Sequence, residues 1–242
     1  AGAMGLEVST LSLYVILAID WAAFLALFAT VARDVETRRL SGPVTLLALG
    51  VANGALLADH FLARYAALEI VALCIALIPL IEMKSPRAVP LAWSCYLLLR
   101  LGDAGLLAAI LILHAAGGML RIAPVLEFAQ GAIEGGSAVL GWTVVGFALA
   151  AWVKLGGWPF HLWSRAGPSL SLASHAWLYA ILVPGLGGYL LYYLTPLLAL
   201  TSPLRTAALW LGAGSAVLTA LFALAQRDHR AALVYVGATQ AG

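Results

Sequence analysis

Long apolar stretches separated by short polar punctuation run through the whole chain. A helix needs about 20 apolar residues to cross the bilayer hydrocarbon. By that ruler, spans are predicted near 8–32, 43–59, 61–81, 88–114, 137–163, 172–194 and 204–225. An eighth begins near Arg230 and is truncated at Gly242. Only Ala58-Asp59-His60 separates the second span from the third, so that turn is tight and the 43–59 span is short. The fifth contains Lys154, Gly156, Gly157 and Pro159. Proline removes a backbone hydrogen bond and glycine relaxes the geometry, so this helix should be broken. The longest stretch between spans, about 117–136, carries Glu127 and Glu134 and has no room for a catalytic domain. The expected fold is all-α: a polytopic transmembrane bundle of about seven complete spans plus the truncated eighth.

Composition agrees. The 242 residues are 63% hydrophobic and 10% charged, against roughly 25% charged in soluble domains. Thirteen basic and eleven acidic residues nearly cancel, and no basic patch suggests nucleic acid. Cys74 and Cys95 lie in separate apolar spans without metal-site spacing, so they read as packed core thiols. The start Ala-Gly-Ala-Met lacks the basic region of a signal peptide. Alternate loops on one side carry Arg33, Arg38, Arg39, Lys84, Arg87, Arg165, Arg227 and Arg230, whereas the other side carries Arg64, Arg121 and Arg205. This asymmetry predicts that the first side is cytoplasmic and the N-terminus outside.

The chemistry is carried by the few charges inside the spans. Lys154 follows the uncharged run 139–153, and Glu69 lies within 61–80. A charge at bilayer depth costs at least ~2.5–3.5 kcal/mol on insertion scales, so such residues normally face protein or water and mark ion or proton routes. If Glu69 and Lys154 approach each other, each favours the partner's charged form. Separation would then push the lysine toward releasing its proton. The competing reading is a static buried pair that fixes helix packing. Arg100 and Asp103 are three apart on one helix, where side chains can meet. They either neutralise each other locally or set the field around Glu69. His175, after the Gly167-Pro168 turn, is a candidate proton relay. His161 sits in the aromatic stretch Trp158–Trp163 and reads as an interfacial anchor, while His114 and His229 read as solvated span ends. Asp20, within the first span, fits either a cavity lining or a contact with another subunit.

Five motifs in order make the chain resemble the antiporter-like subunits of respiratory complex I, its largest especially. The wider family includes Mrp cation/proton antiporters, energy-converting hydrogenases and the DAB inorganic-carbon system. The motifs are Asp59-His60 leading to Glu69; Arg100-Leu-Gly-Asp103; Val153-Lys-Leu-Gly-Gly-Trp-Pro-Phe-His-Leu-Trp163; Gly167-Pro168 with Ser174-His175-Ala176; and Arg227-Asp-His-Arg-Ala-Ala-Leu-Val-Tyr235 with Gln240-Ala-Gly242. The segment 1–58 matches only in hydropathy and position. Two tracts depart from the family pattern: Ser164-Arg165-Ala166 after the tryptophan, and Pro168-Ser-Leu-Ser-Leu172.

The resemblance implies inverted five-helix repeats. On that reading 1–42 is an N-terminal span and cytoplasmic loop, 43–194 is the first repeat, and 195–242 is the start of a second. It also implies proton translocation through Lys154, Glu69, His175, Asp103 and Arg100. Lys154 would be the carrier, Glu69 the modulator, His175 the relay, and Arg100 with Asp103 the support. The second lysine lies outside the sequence, so the other half-channel is expected from a continuation or a partner chain. The chain is expected to hold no cofactor, metal, catalytic or redox centre of its own. Its expected partners are the lipid bilayer, other membrane subunits and a soluble redox or zinc-enzyme-like protein, in a bacterial cytoplasmic membrane or its equivalent. The alternatives are an energy-coupling subunit for inorganic-carbon uptake and a non-conducting scaffold.

Overall fold

The computed structural model describes residues 5–29, 35–117 and 120–242, with the side chains of 29, 35–40, 138 and 140 excepted. Of the arginines used for orientation, Arg33 lies outside the described residues, and Arg38 and Arg39 fall in the first turns of α2 and not in a loop, their side chains not being described. The chain is built from helices α1 (Thr10–Ala29), α2 (Val35–Leu57), α3 (Phe61–Glu82), α4 (Ala88–Gly117), α5 (Ile122–Glu134) and α6 (Ala138–Leu155). A 3-10 segment (Phe160–Ser169) follows, then α7 (Leu172–Ser174), a π-helical stretch (His175–Leu182), α8 (Val183–Leu200), α9 (Ser202–Ala225) and α10 (His229–Ala241). The only β-type pairings among the described residues are isolated bridges, Leu6 to Ala58 and His60 to Arg121.

Among the described residues, six helical stretches are long and apolar enough to cross a membrane: Thr10–Phe28, Phe61–Glu82, Ala88–Gly117, Gly141–Ser169, Leu172–Leu200 and Ser202–Ala225. The apolar part of α2, Ser41–Leu57, is shorter, in keeping with the short span expected there. This is an all-α polytopic membrane bundle, and the protein is integral to the membrane. Many large apolar side chains point outward, among them Trp210 (75% exposed) and Leu224 (84%). In water such surface would be costly; in lipid it is the ordinary exterior.

The stretch 117–136 between spans contains a helix of its own, α5 (Ile122–Glu134). Its Ile122, Val125 and Ala129 repeat at helical spacing and are buried, while Glu127 and Glu134 remain exposed. One expectation is corrected: Arg64, assigned to an external loop, is inside α3 and only 4% exposed. It falls on the same helical face as Leu68, Val71, Ile75 and Ile78, all buried. The α2 helix ends a few residues before α3 begins, which leaves carbonyls without helical partners. The Arg64 guanidinium donates to two carbonyls there, Ala55 O at 3.0 Å and Ala58 O at 2.9 Å. It also lies over the rings of Tyr189 and Tyr193, with 5.1 and 5.4 Å to the centroids. This cation holds α2, α3 and α8 together. The turn is closed from the other side by Arg121, whose Nη2 is 2.5 Å from Asp59 Oδ2.

The core lies between α3, α4, α6 and α8, with α4 packed most extensively against α6 and also against α3. Glycines allow the close approach. A Cβ on Gly102 would sit 2.9 Å from Val153 Cβ, and one on Gly105 would sit 3.0 Å from Gly146 O. On the far side of α6, a Cβ on Gly187 of α8 would sit 2.7 Å from Leu155 N. Small residues at such contacts are the usual way membrane helices pack backbone to backbone.

A buried charge cluster at a helix break

Lys154 occupies the last turn of α6. Gly156 ends the helix in the left-handed region (φ 78°, ψ 25°), and its N–H donates to Trp152 O and Val153 O at 3.2 and 3.1 Å. The indole Nε1–H of Trp163, from the 3-10 segment, donates to Val153 O at 2.8 Å. Trp158–Pro159 is a cis peptide. The expected break is therefore present, and two of the carbonyls at the helix end, those of Trp152 and Val153, have partners. A cation near a helix C-terminus is favoured by the carbonyl dipoles there.

Lys154 is 3% exposed, and its Nζ lies 2.6 Å from Oδ1 of Asp103, which is fully buried. The partner is thus Asp103 of α4 and not Glu69, as the sequence reading had it. Glu69 of α3 instead pairs with Arg100. Nor do Arg100 and Asp103 neutralise each other: one turn apart on α4, they reach opposite neighbours. The reason is topological. Because α4 packs against both α3 and α6, its acid faces the lysine and its arginine faces the glutamate. The two pairs form one cluster, since Arg100 and Asp103 stand one turn apart on α4.

His175 begins the π-helical stretch and is 8% exposed. Its ring rests against Gly167, where a Cβ would come within 2.7 Å of both Cδ2 and Nε2. His161 is 5% exposed and packs against Tyr235 of α10, ring centroids 5.2 Å apart, with its Nδ1 unpartnered. It is an interior residue and not the interfacial anchor expected from its aromatic neighbours. A cavity of about 280 Å³ brings both histidines together, lined also by Gly156, Ser164, Tyr179 and Gln240. It therefore abuts the helix break directly behind Lys154. Asp20 accepts a hydrogen bond from Asn53 Nδ2 at 2.8 Å, which joins α1 to α2 and keeps it apart from this cluster.

The arrangement provides two acids and two bases in alternation across three helices, followed by a cavity bearing two imidazoles. In such a row Arg100 is a fixed positive charge, because guanidinium keeps its proton, so proton exchange is open only to the lysine and the carboxylates, and the alternation of signs leaves little net charge in the low-dielectric interior. Glu82, at the C-terminal end of α3, was missed by sequence reading. It stands two residues from Lys84 at a span end, where charged side chains are ordinary and carry no signal.

Comparison with known proteins bears on what this cluster belongs to. The NAD(P)H-quinone oxidoreductase subunit 5 of the Zygnema circumcarinatum chloroplast is 29% identical over 192 residues, 78% of this chain and 27% of that protein. The NADH-quinone oxidoreductase subunit N of Methylovorus glucosotrophus (strain SIP3-4) is 33% identical over 106 residues, 43% of this chain and 22% of that protein. The chain thus spans about a quarter of the length of these curated relatives. In fold, it is similar to a chain of the archaeal membrane-bound sulfane sulfur reductase, with a TM-score of 0.81 at 20% identity over 99% of this chain and 49% of that one. A chain of the Mrp complex from Dietzia sp. DQ12-45-1b gives 0.71 at 24% identity over 82% and 22%. Residues 58–242, which hold every member of the charge cluster, match the family described as NADH:quinone oxidoreductase/Mrp antiporter, transmembrane region. The chain belongs to that family.

Proposed function

We propose that this chain is a proton-translocating, antiporter-like subunit of a larger energy-converting membrane complex. The observation that carries the reading is the Lys154–Asp103 pair, fully buried where α6 breaks. A buried ion pair is a poor stabiliser compared with well-packed apolar residues, so a buried acid and base in a membrane bundle need a reason other than stability. In this reading Lys154 carries the proton and Asp103 is its direct counter-charge. Glu69 acts at one remove, by holding or releasing Arg100. His175 receives the proton across the cavity. Residues 43–194 act as the first five-helix repeat, with 195–242 opening the second. Other membrane subunits flank the apolar exterior, and a soluble redox or zinc-enzyme-like partner supplies the driving reaction. The membrane is a bacterial cytoplasmic one or its equivalent, with the N-terminus outside.

Lysine and arginine differ in the one property that matters here, because guanidinium does not release its proton at working pH. Lys154→Arg keeps the charge and Lys154→Ala removes it. Both should abolish proton uptake by inverted membrane vesicles bearing the intact complex, with assembly followed on native gels. Full uptake by a normally assembled Lys154→Arg complex would overturn the proposal.

A further inference from the structure

Glu82 reaches from the end of α3 to the start of the helix that carries His175. Its Oε2 accepts the backbone N–H of Ser171 at 2.9 Å. Its Oε1 accepts the hydroxyls of Ser174 at 2.5 Å and Ser171 at 3.4 Å. Ser171 in turn caps the same turn, its Oγ accepting Ser174 N–H at 3.1 Å. The backbone N–H of His175 closes that turn on Ser171 O at 2.9 Å. One carboxylate therefore holds the whole first turn, 171–175, and a negative group at a helix start also suits the dipole.

The same α3 carries Glu69 thirteen residues earlier, paired with Arg100. At ~1.5 Å per residue, the two glutamates are about 20 Å apart along one helical rod, with Pro79 inside its last turn. One end of the rod grips the charge cluster and the other grips the histidine's helix. The imidazole also rests against Gly167 and stands edge-on to the Tyr179 ring, centroids 6.3 Å apart.

We infer that Glu82 is a positioning residue for His175, tying the relay's helix to the helix of Glu69 so that the two move as one unit. This inference rests on the proposed proton path, in which His175 is the relay. It adds to that path a residue that touches neither the proton nor Lys154.

The test uses the intact complex in membrane vesicles with Glu82→Ala, Ser174→Ala, His175→Ala and Glu82→Ala/His175→Ala, and Lys154→Ala as control. Amide hydrogen exchange across 171–175 is followed alongside proton uptake. Glu82→Ala should speed exchange in that turn at least tenfold and lower uptake several-fold per assembled complex. Ser174→Ala should do the same to a lesser degree. In the His175→Ala background, Glu82→Ala should still speed exchange but cause no further loss of uptake. Unchanged exchange, unchanged uptake, or an equal further loss in the His175→Ala background would each overturn the inference. Should Lys154→Ala and His175→Ala both retain full uptake, the proton path itself fails. The assignment of Glu82 to His175's function then falls with it, while faster exchange in Glu82→Ala would still show the grip on that turn.

Discussion

Asp103 and Lys154 meet at 2.6 Å in a site that excludes solvent from both side chains. Glu69, by contrast, pairs with Arg100, whose side chain is 46% exposed. The two carboxylates should therefore differ sharply when neutralised. Asp103→Asn strands a buried ammonium, a change that costs roughly 3–5 kcal/mol when one partner of a buried pair is removed. Glu69→Gln strands a cation that can turn toward its open side. Proton uptake and assembly should both fall further in Asp103→Asn. The reverse order would mean that Glu69, and not Asp103, is the working counter-charge of Lys154.

Gly167→Ala should disturb chemistry more than architecture. The added Cβ would press on the far end of the His175 side chain, which can swing aside at little cost to the fold. Assembly should stay near normal while proton uptake drops several-fold. Normal uptake would show that the imidazole's resting place is immaterial.

Gly187→Ala is the opposite case. Here the new Cβ would meet backbone, Leu155 N at 2.7 Å and Lys154 C at 3.0 Å. Backbone cannot swing away, so α6 and α8 must separate at about 1–3 kcal/mol. The complex should lose several degrees of thermal stability. Gly188→Ala, with nothing within 4 Å of its Cβ, serves as the matched control and should be silent.

Arg64→Met should impair assembly without touching the charge cluster. It leaves Ala55 O and Ala58 O without their guanidinium donor, and each buried group left unsatisfied costs about 1–3 kcal/mol. Arg64→Lys should recover only part of this, since one ammonium cannot reproduce a planar fork lying over two tyrosine rings. Equal assembly of all three proteins on native gels would refute the role.

Much of this was legible in the chain. Span lengths follow from hydropathy because the bilayer imposes them, and the break after Lys154 follows from Gly156 and Pro159. The charge cluster was visible as a set of residues, since charges within apolar runs are few. Its pairing was not visible, because which helix stands between two others is decided by packing. The glycines at 102, 105 and 146 that bring α4 against α6 gave no sign of their partners. Arg64 could have been found from its spacing to Leu68, Val71 and Ile75, but the count of loop charges claimed it first. α5 was hidden for a related reason. Thirteen residues with an exposed acidic face are too short and too polar for a test tuned to membrane crossing.

The alternation of signs along Glu69, Arg100, Asp103 and Lys154 has an electrical consequence. With all four ionised, the set sums to zero, and each acid sits against a base. A membrane potential acts on displaced charge, at about 2.3 kcal/mol per elementary charge per 100 mV. Joint movement of a neutral pair transports almost none, so shifts of the paired helices are nearly blind to voltage. Only when one of the four gains or loses a proton does the set acquire a net charge on which the field can do work. The potential would then weigh on the proton itself and not on the helices that hold its path.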